Sequence, residues 1–242
     1  MPKITIIGES CQDVFVYCDV VRLAPDLPVP VLHEIHIETN PGMAANVQRN
    51  IDARHISTTL VTNQNWEKIV KRRYIHDTSN HMFLRVDTPH DIARLNIQNI
   101  DLSADLIVIS DYNKGFLNES DIDFICTSHP LVFLDTKKIL GKWSENAAYI
   151  KINDYEFNNS KNKLTETIKE KIIHTRGPDG CDFRGKNYPV EKFEVRDTSG
   201  AGDSFMAALV VEYLKTSSIE ESITAANYAA SRVVRTRGVG VI

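Results

Sequence analysis

Residues 197–205 read Asp-Thr-Ser-Gly-Ala-Gly-Asp-Ser-Phe, and the stretch that follows, through Lys215, carries the pattern of an amphipathic helix. A turn rich in glycine therefore opens a helix, with a carboxylate in its first turn. Gly200 and Gly202 let the backbone approach a ligand closely. The unpaired N–H groups of a helix start point at whatever lies above them, and the helix dipole favours negative charge there. Asp203 in the same turn repels an anion. The combination suits a base placed beside a developing negative charge, as in phosphoryl transfer to a hydroxyl group. For a bare Gly-x-Gly-Asp, helix capping would be explanation enough.

The rest of the chain alternates strands and helices. Ile4–Gly8, Leu106–Ser110, Leu131–Asp135, Ala148–Ile152 and Lys171–Thr175 read as buried strands, and Glu119–Thr127 as a helix. Asp182–Arg184 and Asn187–Val190 suggest a short hairpin, and two helices close the chain. The second of these has Ile219, Ile223, Ala226, Ala230 and Val233 at helical spacing. Such alternation predicts a parallel sheet with helices on both faces, whose ligands collect at the carboxyl ends of the strands. Two further segments stand apart. Val29–Ile37 is extended, with Pro28 and Pro30 marking an edge or lid position. Arg72–His76 and His81–Val86 flank a four-residue hairpin connection at Asp77–Asn80. Pro41-Gly-Met-Ala-Ala-Asn-Val47 is expected to start a helix, with the proline near its first turn.

At 242 residues the chain suits one sizeable α/β domain. A net charge of −4 and no long Lys/Arg block argue against nucleic acid as the main partner; Arg232, Arg235 and Arg237 are expected to complement a helix end. No apolar run approaches a membrane span. Cys11, Cys18, Cys126 and Cys181 form no Cys-x-x-Cys pair, so a reduced, cytosolic protein is expected.

The string at 197–205 closely resembles the Asp-Thr-x-Gly-Ala-Gly-Asp-x-Phe signature of the ribokinase-like (PfkB) carbohydrate kinases. Over nearly the whole chain the likeness is greatest to the bacterial D-glycero-D-manno-heptose 7-phosphate kinases. Ile7–Asp13, Asp19–Val31, Pro41–Val47, Leu84–Asp87 and Ser110–Gly115 are similar to stretches on the substrate side of that group. Lys151–Glu156, Thr175–Gly180 and Asp135–Lys137 are similar to stretches on its nucleotide side. Three departures stand out. Met43 replaces the second glycine of a Gly-Gly pair, Thr136 and Ile152 replace prolines, and the segment between Asn50 and Lys71 is shorter than in the family.

The resemblance implies a ribokinase-like three-layer αβα sandwich with a mostly parallel sheet and a small β lid, a single domain over residues 1–242. It implies ATP and Mg2+, and a sugar-phosphate acceptor of the heptose 7-phosphate type. Asp203 would be the base, with Gly200, Ala201 and Gly202 forming the anion hole. Lys137, Asn153, Glu156, Thr175, Arg176, Gly177, Gly180, Asp197, Thr198 and Asn227 would serve the nucleotide, with Asn153 and Glu156 arranging magnesium through water. Asp13, Gly42, Asn46, Arg85, Asp87 and Asp111 would bind the sugar. A homodimer through the lid strands, near residues 29–37 and 72–86, and a cytoplasmic location are expected. The alternatives are another specificity within the family, for a different sugar phosphate or a nucleoside, and a nucleotide- or sugar-binding regulator without catalysis.

Overall fold

The computed structural model describes residues 2–191, 196–236, 238 and 240; Arg237 lies outside them. Strand β1 (Lys3–Gly8) opens the main sheet. The chain then leaves it for two 14-residue strands, β2 (Ser10–Leu23) and β3 (Pro30–Met43), before helix α1 (Ala44–Asp52) and strand β4 (Ser57–Val61). Strands β5 (Val70–His76) and β6 (Met82–Asp87) return to the second sheet. From β7 (Leu106–Asp111) the alternation is regular, through α2 (Glu119–Ser128), β8 (Val132–Thr136), β9 (Tyr149–Asn153), α3 (Asp154–Ser160), α4 (Glu166–Lys169) and β10 (Ile172–Thr175). A hairpin of β11 (Cys181–Phe183) and β12 (Lys186–Tyr188) precedes α5 (Ala201–Thr216) and α6 (Ile219–Val233).

The main sheet has eight strands in the order β12-β11-β10-β9-β8-β7-β1-β4. It is parallel from β4 to β10, and only the terminal hairpin runs antiparallel. Its parallel strands are close to continuous apolar runs because both faces are covered. On one side α1, α5 and α6 close a core around Ile4, Ile6, Val108, Phe133 and Leu209. On the other, α2 and α4 pack Ile122, Ile125 and Ile168 over Ile7, Ile109 and Ile150. The irregular segment 88–105 completes that second layer with Ile92, Leu95 and Leu102. The three-layer sandwich expected from the alternation is thus present.

The lid is a four-stranded sheet in the order β3-β2-β5-β6. Both its edges and the hairpin at Asp77–Asn80 follow the expected pattern. Other elements do not. The stretch expected over Val29–Ile37 is strand from Pro30 through Met43, so Pro41 lies within the strand and helix α1 begins only at Ala44. Strand β2 has no counterpart in the sequence reading, and neither does β4. In β2 the central position buries both faces, Val14 and Val16 on one and Phe15 and Tyr17 on the other, which erases the period-two alternation that would have marked it.

All four described cysteines are buried free thiols. No described helix is long and apolar enough to cross a membrane.

Candidate active site

The carboxyl ends of β1, β7, β8, β9 and β10 converge on one edge of the main sheet, and every group discussed below sits there or on the lid above it. Helix α5 begins after Gly200, whose φ of 75° is left-handed backbone that glycine adopts without strain. Asp203 follows in the first turn and is buried. Its Oδ2 accepts a hydrogen bond from Asn46 Nδ2 at 2.8 Å, and its Oδ1 accepts one from the Tyr112 hydroxyl at 2.9 Å. Asn46 is itself oriented. Its Oδ1 accepts from Asn50 Nδ2 at 3.2 Å, and Asn50 Oδ1 accepts from Ser204 Oγ, so a closed network ties α1 to α5 around the carboxylate.

Burial pushes the Asp203 carboxyl up to about 6 and Asp135 adds to the rise, against the hydrogen bonds from Asn46 and Tyr112 and the charge of Lys151. The helix dipole alone would have predicted the opposite direction. The carboxyl is still mostly ionised at neutral pH, and it lies close to the range in which a general base works best.

Below the glycine turn lies a buried ionic chain. Lys151 Nζ donates to Asp135 Oδ2 at 2.7 Å, and Lys137 lies 3.5 Å from the other oxygen of Asp135. Lys137 also pairs with Glu156. Burial works to raise Asp135, but the two lysines outweigh it and hold its carboxyl below the ordinary range. The two lysines and the glycine turn line a cavity of about 810 Å³, a size that suits a nucleotide-sized ligand. Asn153, Thr175, Gly177, Gly180, Thr198 and Asn227 line it as well.

Three residues expected on the nucleotide side do not reach this cavity. Arg176 pairs with Asp182 at 3.0 Å. Asp197 accepts from the backbone of Ser199 and Gly238, which fixes the approach to the glycine turn. Glu156 gives one oxygen to the backbone N–H of Asn153 and the other to Lys137, while Asn153 accepts from the Glu156 N–H. Asn153 and Glu156 are therefore first of all a reciprocal cap on α3. Among the described residues there is no cluster of three or more metal-ligating side chains. The Asn153 amide at the cavity wall, with the Glu156 carboxylate behind it, fits a magnesium ion that arrives with phosphate oxygens and keeps its waters, not a cage supplied by protein alone.

On the lid side, Asp13 accepts from Arg73 Nη1 at 2.6 Å. Gly42 lies against it; a Cβ there would sit 2.3 Å from Asp13 Oδ2, so only glycine fits. Arg85 and Asp87 form a bidentate pair on exposed β6. Asp111 is fully buried and bound by Lys138 Nζ at 2.9 and 3.0 Å, with Thr136 Oγ1 and the Asn113 N–H also donating to it.

Several residues escaped the sequence reading: Tyr112, Lys151, Asp135, Asn50, Lys71 and Arg73. Tyr112 and Lys151 each sit inside a motif whose neighbours attracted attention instead. Lys71 and Arg73 needed the register of β5 on β2, which places them beside Asp13 and Phe15.

The mostly parallel main sheet with its four-stranded lid is a ribokinase-like fold. Residues 127–241 match the family model for pfkB family carbohydrate kinases. Over an alignment of 304 residues the chain is 28% identical to the bifunctional protein HldE of Helicobacter pylori strain HPAG1, covering 98% of this chain and 64% of that protein. The chain thus spans a little under two thirds of the length of that relative. Phosphofructokinase-2 of Escherichia coli in complex with potassium superposes with a TM-score of 0.71 at 14% identity, covering 100% of this chain and 95% of that one. Ribokinase of Arabidopsis thaliana complexed with ribose and ATP gives 0.65 at 15% identity, covering 98% and 94%. At these identities the structural likeness is one of fold.

Proposed function

We propose that this chain is an ATP-dependent carbohydrate kinase that transfers the γ-phosphoryl group to a hydroxyl of a sugar phosphate, of the heptose 7-phosphate type. The observation that carries the proposal is the place of Asp203. A buried carboxylate with its pKa raised to about 6 stands at the seam between the large cavity and the lid face that bears Asp13. ATP would occupy the cavity between Asn153, Thr175 and the Gly200–Gly202 turn. The sugar would lie between that turn and the lid, with Asp13 and Asn46 as its polar partners.

In this arrangement Asp203 takes the proton of the attacking hydroxyl. The N–H groups at the start of α5, with Lys151 and Lys137 beneath them, stabilise charge on the transferring group. Magnesium bound with the nucleotide would neutralise part of the phosphate charge. The lid excludes water, so that ATP is not hydrolysed.

The lid also favours a homodimer. Ile37, Val16, Tyr74 and Leu84 form one row across its four strands, and Ile37 and Leu84 are half exposed on the face that turns away from Asp13. A second copy would cover that face.

A different specificity within the same class is favoured by one observation, Met43. It is a bulky side chain at a backbone position of φ 62° and ψ −134°, beside the proposed sugar site. The test is ATP consumption against a panel of sugar phosphates that includes D-glycero-D-manno-heptose 7-phosphate, with calorimetry of a non-hydrolysable ATP analogue in magnesium. Turnover on the heptose phosphate supports the full proposal, and turnover on another sugar phosphate keeps the reaction and changes the acceptor. Nucleotide binding without turnover on any acceptor points to a regulator. No binding at millimolar nucleotide removes the kinase proposal.

A further inference from the structure

Tyr112 stands between the two halves of the site. Its hydroxyl donates to Asp203 at 2.9 Å. Lys71 Nζ, from lid strand β5, lies 5.3 Å from its ring centroid, and Lys137 Nζ, from the nucleotide side, lies 5.4 Å from it. Its backbone is held at considerable expense. The fully buried Glu9 carboxylate accepts from the N–H groups of Tyr112 at 2.7 Å, Lys114 at 2.8 Å and Phe116 at 3.3 Å. Burying a carboxylate is unfavourable unless it is fully hydrogen-bonded. Here that burial fixes a loop whose one side chain aimed at the catalytic seam is a tyrosine.

We propose that Tyr112 is the positioning residue of Asp203: its O–H holds the carboxylate ionised and oriented toward the acceptor hydroxyl. The inference rests on the kinase reading above. The groups that face Asp203 are Asn46 from α1, Cys11 from β2, Asp135 from β8, Lys137 just beyond it and Lys151 from β9, besides Tyr112 itself. Burial and Asp135 favour the protonated acid, while Asn46, Tyr112 and Lys151 oppose them. The phenol stays a donor throughout, because burial and the nearby Asp203 and Asp135 raise it well above its ordinary value. Cations over the ring faces draw on its π density, which strengthens the O–H as a donor.

The experiment is Tyr112→Phe, which keeps the ring between the two lysines and removes only the hydroxyl. The Asp203 carboxyl is titrated by 13C NMR in both proteins, its signal assigned with Asp203→Asn, and turnover is followed from pH 5.5 to 8.5. A hydrogen bond to a charged group is worth about one pH unit or more in the position of the titration. The Asp203 midpoint moves up by about one pH unit. Turnover falls about threefold at pH 6.5 and approaches tenfold at pH 5.5, yet stays within about twofold at pH 8.5. An unmoved carboxyl midpoint, or a loss of turnover equal at every pH, overturns the proposal. If the unmutated protein turns over no sugar phosphate, the kinase reading fails while the NMR titration still decides the role of Tyr112.

Discussion

The ammonium of Lys151 lies 3.0 Å from the point that a Cβ on Gly202 would occupy. The glycine at that position is therefore required by a neighbouring cation as much as by any ligand. A methyl group there does not strain the helix, and alanine is the better helix former by about 1 kcal/mol. It meets only the far end of a flexible side chain, which moves. What it displaces is the charge under the anion hole. Gly202→Ala is expected to raise or preserve thermal stability while lowering turnover at least tenfold, and circular-dichroism melting beside a kinase assay checks both. A fully active, equally stable variant would show that Lys151 has no part in the reaction.

Asp203→Asn is expected to separate chemistry, binding and stability. Loss of the proton acceptor removes about 10²–10⁴-fold of turnover, while the nucleotide dissociation constant changes little. Stability should move the other way. The folded carboxyl titrates near 6, against 3.8 for the free group, so the native state binds the proton more tightly than the unfolded chain. The resulting destabilisation is complete above pH 6 and disappears as pH falls below about 4. Its ceiling is about 3 kcal/mol, and an Asn amide facing two donors, Asn46 and Tyr112, gives some of it back. The variant should melt about 2–4 °C above the original at pH 7.5 and lose that advantage at pH 4, by scanning calorimetry.

Why some of this was legible in the sequence and some was not follows from the physics of particular elements. The main sheet announced itself because its strands are apolar on both faces and its helices on one. The turn at Gly200 did so because left-handed backbone at a helix start selects glycine. Strand β2 stayed hidden because its central residues are buried on both faces, which leaves no period-two alternation. Lys138 and Asp111 stand 27 residues apart, and Lys151 and Asp135 stand 16 apart. No local pattern says that such charges meet, so Asp111 read as a ligand group and Lys151 as a strand residue.

Met43 combines a buried side chain with backbone that glycine alone adopts easily, at φ 62° and ψ −134°. Such strain costs about 1–3 kcal/mol, and the side chain offsets it by packing against Cys11 and Ile69 and accepting Lys71 Nζ on its sulfur at 3.1 Å. The two contributions separate by substitution. Met43→Ala keeps the strain and loses the packing, so it should cost about 2–4 kcal/mol. Met43→Gly loses the packing and relieves the strain, so it should be the more stable of the two by about 1 kcal/mol or more. Urea unfolding of the three proteins gives the order. An alanine variant as stable as the glycine one would mean that this backbone is unstrained. Either substitution also opens space beside Cys11 and Lys71, and a broadened choice of sugar acceptor in the glycine variant would identify Met43 as a determinant of specificity.

The proposed dimer is tested on the lid sheet. Ile37, Leu84 and Val86 leave one face of the four-stranded lid partly open while Asp13, Arg73 and Arg85 occupy the other. Pairing two lids through the open face buries these side chains at about 25 cal/mol per Å². It also stiffens the strand that carries Lys71 and Arg73 beside Asp13. Leu84→Glu places a charge at the β6 end of the open row, beside Tyr74, without touching the inner face. The unmutated protein should sediment as a dimer at micromolar concentration and the variant as a monomer of unchanged circular dichroism. Turnover of the monomer should fall mainly through a raised KM for the sugar, since no lid residue lines the proposed nucleotide cavity. A monomeric unmutated protein, or a Leu84→Glu dimer, would show that this face is not the contact.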